Sequence, residues 1–122
     1  MKKKILIIED DDSMRKVERK LLELSGYEVF EASNAKDGNA LAVKEKPNLI
    51  LMDIRLPSKK RGIGAAKILR KQEQTSDIPI IFVTGYKKGE ETKEIQGIAN
   101  SGYITKPFES NDLLKAIEKY IN

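Results

Sequence analysis

With 122 residues, no cysteine and no histidine, the chain excludes disulfides, thiolate nucleophiles, zinc-thiolate sites, histidine general bases, Ser-His-Asp triads and any phosphohistidine of its own. Its 39% hydrophobic and 34% charged residues describe a single water-facing domain over residues 1–122, with no apolar run near the ~20 residues that span a bilayer. The formal net charge of +4 is spread through nearly every helix, with one modest cluster at Lys59-Lys60-Arg61, so direct nucleic-acid binding is not expected and the cytoplasm is the natural compartment.

Met1-Lys2-Lys3-Lys4 precedes only four apolar residues before the acids begin, too few for a signal-peptide core. Lys4 to Ile8 reads as a first strand and ends in Glu9-Asp10-Asp11-Asp12. Asp12 or Ser13 caps a helix whose apolar stripe is Met14, Val17, Leu21 and Leu24, closed by Ser25-Gly26. Tyr27 to Ala32 is a short second strand. Ser33-Asn34 caps a weak helix over Ala35 to Lys46, which Pro47 ends.

Asn48-Leu49-Ile50-Leu51-Met52-Asp53 is an unbroken apolar run that stops on a carboxylate, the pattern of a strand buried on both faces. Ser58 to Gly64 reads as a polar loop and Ala65 to Gln74 as a helix. Thr75-Ser76-Asp77 turns the chain into a second fully apolar strand, Ile80 to Val83, which ends in Thr84. Gly85 to Gly89 is loop. Glu90 to Asn100 is a mediocre helix with Ile95, Ile98 and Ala99 on one side and Gly97 inside it. Gly102-Tyr103-Ile104 is the last strand, Lys106-Pro107-Phe108 a loop, and Ser110 caps a final helix with Leu113, Leu114, Ile117, Tyr120 and Ile121 inward.

A β-α unit repeated five times implies a parallel sheet with helices on both faces and right-handed crossovers. Reactive groups in such sheets lie beyond the carboxyl ends of the strands. Those ends carry Glu9 and Asp10, Asp53, Thr84 and Lys106. Taken one at a time, each has an ordinary reading: an acidic turn, a cap or turn residue, an undistinguished threonine, a surface lysine. Their joint position at four strand ends does not. Carboxylates sharing a crevice repel, and a divalent cation such as Mg²⁺ relieves this through oxygen ligands. A lysine and a hydroxyl suit the equatorial oxygens of a phosphoryl group in flight, and Asp53 is the candidate nucleophile.

With Ile-Ile-Glu-Asp-Asp after the first strand, Leu-Met-Asp-Ile-Arg-Leu-Pro around the third, Val-Thr-Gly at the fourth and Ile-Thr-Lys-Pro-Phe at the fifth, the whole chain resembles a receiver domain of a two-component response regulator, similar to the chemotaxis regulator. The resemblance implies a flavodoxin-like, doubly wound five-stranded parallel sheet of order 2-1-3-4-5 with five helices. It implies that Asp53 accepts a phosphoryl group from a histidine kinase or histidine phosphotransfer protein, so that the domain is a switch and not a turnover enzyme. Asp10 and Asp53 would bind Mg²⁺, with Glu9 acting through a metal-bound water and the Arg55 backbone carbonyl as a further ligand. Thr84 and Lys106 would contact the phosphoryl group. Tyr103 matches the aromatic that follows Thr84 in the family's switch, and the Lys106-Pro107 peptide would be cis. The output would pass through a two-state surface of the fourth helix, fifth strand and fifth helix to a downstream effector protein or domain. Phosphorylation-linked homodimers are common in that family.

Three departures from the family pattern stand out. Glu9 replaces the commoner aspartate. The loop Ser58-Lys59-Lys60-Arg61-Gly62 carries three cations where receivers more often have a shorter turn with an acid before the glycine; it is either a solvated loop or a lure for an acidic partner or the phosphoryl donor. Tyr86 and Arg55, each two residues beyond a site residue, flank the path of an attacking water and are expected to slow loss of the phosphoryl group. Two other readings use the same residues. A degenerate receiver would serve only as a docking or dimerisation module, against which stands the intact set Asp10, Asp53, Thr84 and Lys106. An aspartate-nucleophile phosphatase of the haloacid dehalogenase type would use Asp10-Asp11-Asp12, but Met14 stands where that motif wants Thr or Val and the chain has no room for a cap.

Overall fold

The computed structural model describes residues 2–53, 59–84, 93 and 95–121. Strands β1 (Lys4–Ile8), β2 (Glu28–Ala32), β3 (Leu49–Asp53), β4 (Ile80–Thr84) and β5 (Ser101–Thr105) form one parallel sheet in the order β2-β1-β3-β4-β5. Helices α1 (Asp12–Leu24), α2 (Ala35–Glu45), α3 (Lys59–Lys71) and α4 (Ser110–Tyr120) cover its two faces.

The continuous apolar runs of β1, β3 and β4 follow from this double cover. Leu6, Ile8, Ile50, Met52, Ile80 and Phe82 point to one side and pack against Ala42 of α2 and Ile63, Ala66 and Leu69 of α3. Their neighbours Ile5, Ile7, Leu49, Leu51, Ile81 and Val83 point to the other and meet Leu22 of α1 and Leu113 and Ile117 of α4. A period of two with both phases buried is what a central parallel strand requires. On the first side α2 lies so close to β1 that a β-carbon at Gly38 would fall 2.5 Å from Ile8 Cδ1, so glycine is needed there for approach and not for its backbone angles.

The helix ends depart from expectation in detail. The cap of α1 is Asp11, whose Oδ1 accepts from the Met14 N–H at 3.0 Å, and not Asp12 or Ser13. Gly26, at φ 95°, lets the chain leave α1 as expected. Asn34 caps α2, accepting from the Asp37 N–H at 2.8 Å. Glu109 precedes α4 as its cap, with its N–H donating to Asp112 Oδ2 at 3.1 Å, which displaces Ser110 from that role.

Two larger corrections concern faces and spans. The stripe Met14, Val17, Leu21 and Leu24 is not the buried side of α1. Val17 and Leu24 are 65% and 78% exposed, and the fully buried residues are Glu18 and Leu22. The buried line is rotated one position from the stripe because Leu22, four residues after Glu18, is the anchor in the core. Next, α3 begins at Lys59, so residues 59–64 are helix and not loop. Helical propensity of the lysines and arginine outweighs the two glycines. The side chains of Lys59, Lys60 and Arg61 lie outside the described residues.

Of the helix expected over Glu90–Asn100, Lys93, Ile95 and Gln96 are helical, and 97–100 lie in turns and a bend with Asn100 at φ 54°. Ile95 and Ile98 are buried, whereas Ala99 is exposed. The five expected helices are therefore four among the described residues. Arg70 ties the end of α3 to this turn: its Nε donates to Ala99 O at 2.7 Å and its Nη2 to Asn100 O at 2.9 Å. Among the described residues, no helix is long and apolar enough to cross a membrane.

Candidate functional site

The sheet register delivers the chemical groups to one edge. Pairing of Ile8 with Met52 puts Glu9, the next residue, beside Asp53, and pairing of Thr84 with Thr105 puts Lys106 one step past Thr84. Hydrogen bonding continues beyond the strands: Glu9 N–H donates to Ala32 O at 3.0 Å and Lys106 N–H to Thr84 O at 2.7 Å. The Lys106-Pro107 peptide is cis, as expected.

Carboxylate oxygens of Glu9, Asp10 and Asp53 all lie within 4.8 Å of one another. Glu9 and Asp53 are 1% and 2% exposed, and Asp10 faces solvent. Lys106 Nζ sits 3.7 Å from Glu9 Oε1 and 3.8 Å from Asp53 Oδ2, with no hydrogen bond among the described residues. Thr84 is buried at the same edge. Burial, followed by the hydrogen bond and charge of Asp53, holds the Glu9 carboxyl well above the usual carboxylate range, and Lys106 only partly opposes this. The pocket thus gathers more negative charge than its lysine neutralises. Hard oxygen donors at this spacing, in excess of the resident cation, fit a small divalent ion such as Mg²⁺.

The remaining expected residues divide. Tyr103 is on β5, paired with Phe82, which puts it on the same face of the sheet as Thr84; it is 40% exposed. Arg55 and Tyr86 lie outside the described residues.

Two residues at the site were not anticipated. Arg15 pins the acidic turn: its Nη1 donates to the backbone carbonyl of Glu9 at 2.8 Å and its Nη2 to Asp12 Oδ1 at 2.5 Å. Its Nε lies 3.3 Å from Glu31 Oε1, and Arg19 pairs with the same glutamate. Glu18 is 3% exposed, and burial lifts its carboxyl to about 7, with Lys106 pulling it down and Asp53 pushing it up. The available signal was the spacing Met14, Glu18, Leu22, an i, i+4 line running from half-buried Met14 to buried Glu18 and Leu22 beside the more obvious stripe.

A doubly wound parallel sheet with acids, a hydroxyl and a lysine converging at its carboxyl edge defines a receiver-type domain. The chain belongs to the response regulator receiver domain family, whose profile matches residues 5–118. It is 42% identical over 118 residues to the phosphate regulon transcriptional regulatory protein PhoB of Pseudomonas aeruginosa, covering 95% of this chain but only 50% of PhoB. It therefore spans about half the length of that relative. It is 40% identical to Protein PilH of the same organism, covering 93% of both chains. Among solved structures it is similar to chemotaxis protein CheY4 of Vibrio cholerae, with a TM-score of 0.91, 28% identity and 99% and 100% of the two chains covered. It is also similar to the receiver domain of sensor histidine kinase PA1611 of P. aeruginosa (TM-score 0.87, 26% identity, 98% of both chains), which was solved with a magnesium ion coordinated in the active-site cleft.

Proposed function

We propose that residues 1–122 act as one cytoplasmic receiver unit in which Asp53 accepts a phosphoryl group from the phosphohistidine of a kinase or phosphotransfer protein. The observation that carries this reading is the juxtaposition of buried Asp53 with Glu9, Asp10 and Lys106 at one sheet edge. In the transfer, the phosphorus–nitrogen bond of the donor imidazole breaks as a bond from phosphorus to an Asp53 carboxylate oxygen forms. The imidazole leaves with its electron pair and takes a proton from solvent.

Asp10, Asp53 and the Arg55 carbonyl would hold Mg²⁺ directly and Glu9 through water, and the ion would neutralise charge on the group in flight. Lys106 and Thr84 meet the equatorial oxygens. The magnesium in the similar PA1611 receiver supports this assignment. The acyl phosphate is a mixed anhydride, so the signal is erased by hydrolysis and the domain works as a switch. New charge at Asp53 draws Thr84 inward, Tyr103 follows on the same face, and the surface of β5, α4 and the segment over Ile95–Asn100 changes its preferred partner. That partner is an effector protein or domain, or a second copy of the chain.

The direct test is intact mass after incubation with Mg²⁺ and acetyl phosphate. A single phosphoryl adduct, absent when chelator replaces Mg²⁺, is the expected result. A folded, Mg²⁺-binding protein that takes no adduct from acetyl phosphate or from a cognate kinase would instead be a docking module. Within this reading, Tyr86 and Arg55 shield the acyl phosphate from water. Tyr86→Ala is expected to speed loss of the adduct by about 3- to 10-fold, on the scale of one excluded-water or positioning effect. An unchanged decay rate removes Tyr86 from that role.

A further inference from the structure

The acid cluster is held from outside by β2, a strand that contributes no group to it. The run Glu9-Asp10-Asp11-Asp12 places four carboxylates on consecutive residues, and their repulsion favours an open turn. Glu9 and Asp10 share the crevice with Asp53, whereas Asp11 caps α1 and Asp12 bonds to Arg15. A contact outside the crevice has to fix which acids enter it.

Arg15 does this through the rigid fork of its guanidinium. Nη1 donates to the Glu9 carbonyl at 2.8 Å and Nη2 to Asp12 Oδ1 at 2.5 Å, which clamps the two ends of the acidic run together. The Glu9 carbonyl belongs to the planar peptide that joins Glu9 to Asp10. Fixing that plane sets the directions in which both side chains leave the backbone. Arg15 is held in turn by Glu31 of β2, whose Oε1 lies 3.3 Å from Nε, and Arg19 pairs with the other oxygen of the same carboxylate. Ala32, the next residue on β2, accepts the Glu9 N–H at 3.0 Å. β2 therefore grips Glu9 at its N–H directly and at its carbonyl through Arg15. Isolated surface ion pairs contribute little, but the Arg15 side chain is only 16% exposed and serves three acceptors at once.

We propose that Arg15 and Glu31 are positioning residues for divalent-cation binding: Arg15 fixes the Glu9–Asp10 peptide so that both carboxylates face Asp53, and Glu31 holds Arg15 in the orientation that does so. The proposal rests on the reading of Glu9, Asp10 and Asp53 as a Mg²⁺ site. The sign of the effect separates positioning from simple electrostatics. A guanidinium beside a cation site repels the ion, so loss of its charge alone tightens Mg²⁺ binding. Loss of a contact that orients the ligands loosens it.

The measurement is Mg²⁺ affinity by titration calorimetry on the unphosphorylated chain, for wild type, Arg15→Met, Glu31→Gln and the double variant, each checked for folding by urea unfolding in chelator. Arg15→Met is expected to bind Mg²⁺ at least about fivefold more weakly than wild type, near the lower end of what lost support around a metal ligand costs. Glu31→Gln is expected to weaken binding about threefold, and that loss should shrink to less than about 1.5-fold in the Arg15→Met background, because Glu31 acts through the arginine. Unchanged or tighter binding by folded Arg15→Met overturns the proposal. An equal loss from Glu31→Gln in both backgrounds would mean that its charge acts on the ion through space, which overturns the role given to Glu31. Should Arg15→Met fail to fold, Arg15→Lys takes its place. It keeps the charge and loses the fork, so binding at least about threefold weaker supports the proposal and wild-type affinity overturns it. Wild type that takes up no Mg²⁺ removes the metal reading and this inference together. Uptake by wild type with the wrong pattern among the variants removes only the inference.

Discussion

Asp53→Asn is expected to take no phosphoryl adduct under conditions that modify the wild type, and to be the more stable protein when Mg²⁺ is absent. The first half follows from the nucleophile. An amide oxygen does not form an acyl phosphate, so the loss is complete and not graded. The second half follows from the crowding of acids. Glu9 and Asp53 are both buried, and Glu9 carries its proton far above the ordinary range, first through burial and then through the hydrogen bond and charge of Asp53. An asparagine keeps the shape, removes one charge and leaves Glu9 to pair with Lys106, now 3.7 Å away. Relief of a poorly compensated buried charge is worth about 1–3 kcal/mol. Urea unfolding in the presence of chelator measures it. An adduct on Asp53→Asn would move the acceptor elsewhere. A loss of stability would mean that the wild-type acids are better neutralised than their distances indicate.

The second large effect is a pH dependence centred on Glu18. Its carboxyl rises from 4.5 to about 7 on folding, chiefly through burial. Between those values the folded chain holds a proton that the unfolded chain has released. Stability therefore falls as pH rises through this window, is highest below 4.5, and levels off above 7. At about 1.4 kcal/mol per unit the full cost is about 3–4 kcal/mol. Glu18→Gln lacks this titration, so its stability relative to wild type should grow from pH 4.5 to 7 and then stay constant. Urea midpoints for both proteins at half-unit steps, with chelator, give the difference. Glu9 stays protonated in the folded state of both proteins across this window, with its carboxyl held at about 9 in the wild type chiefly by burial, so the difference reports mainly Glu18. A gap that does not change with pH would mean that Glu18 ionises in the fold as it does in water.

The sheet was readable because its central strands leave no alternative. Asn48 to Asp53 and Ile80 to Val83 are apolar on both phases, and only a doubly covered strand buries both. The site was readable for the same reason, since each strand stops on the group it delivers. What escaped was decided by tertiary packing. Nothing local distinguishes Val17, which is exposed, from Leu22, which is buried; the packing of Leu22 against the sheet does. Glu18 was hidden by the same rotation, because a glutamate inside a charged helix reads as surface until its neighbours are known. The start of α3 at Lys59 was obscured by Gly62 and Gly64, which read as loop in isolation. The caps at Asp11 and Glu109 each lay one or two residues from the position the sequence favoured, within the ordinary uncertainty of helix ends.

The strand order also places the acids and their lysine on separate parts of the sheet. β1 and β3 are neighbours, so Glu9, Asp10 and Asp53 come together as soon as the first 53 residues pair. Lys106 follows β5, the far edge of the sheet. In a chain whose β1 and β3 pair before β5 docks, the acid cluster would form without its lysine, and like-charge repulsion would work against that pairing. Docking of β5 is then the step that neutralises the pocket as well as the one that completes the sheet. Millimolar Mg²⁺ should substitute for the absent lysine and speed refolding of the β1–β3 half. Pulsed hydrogen exchange with and without the ion would reveal earlier protection of Ile50 and Leu51, and equal protection times would mean that the acids assemble without cost.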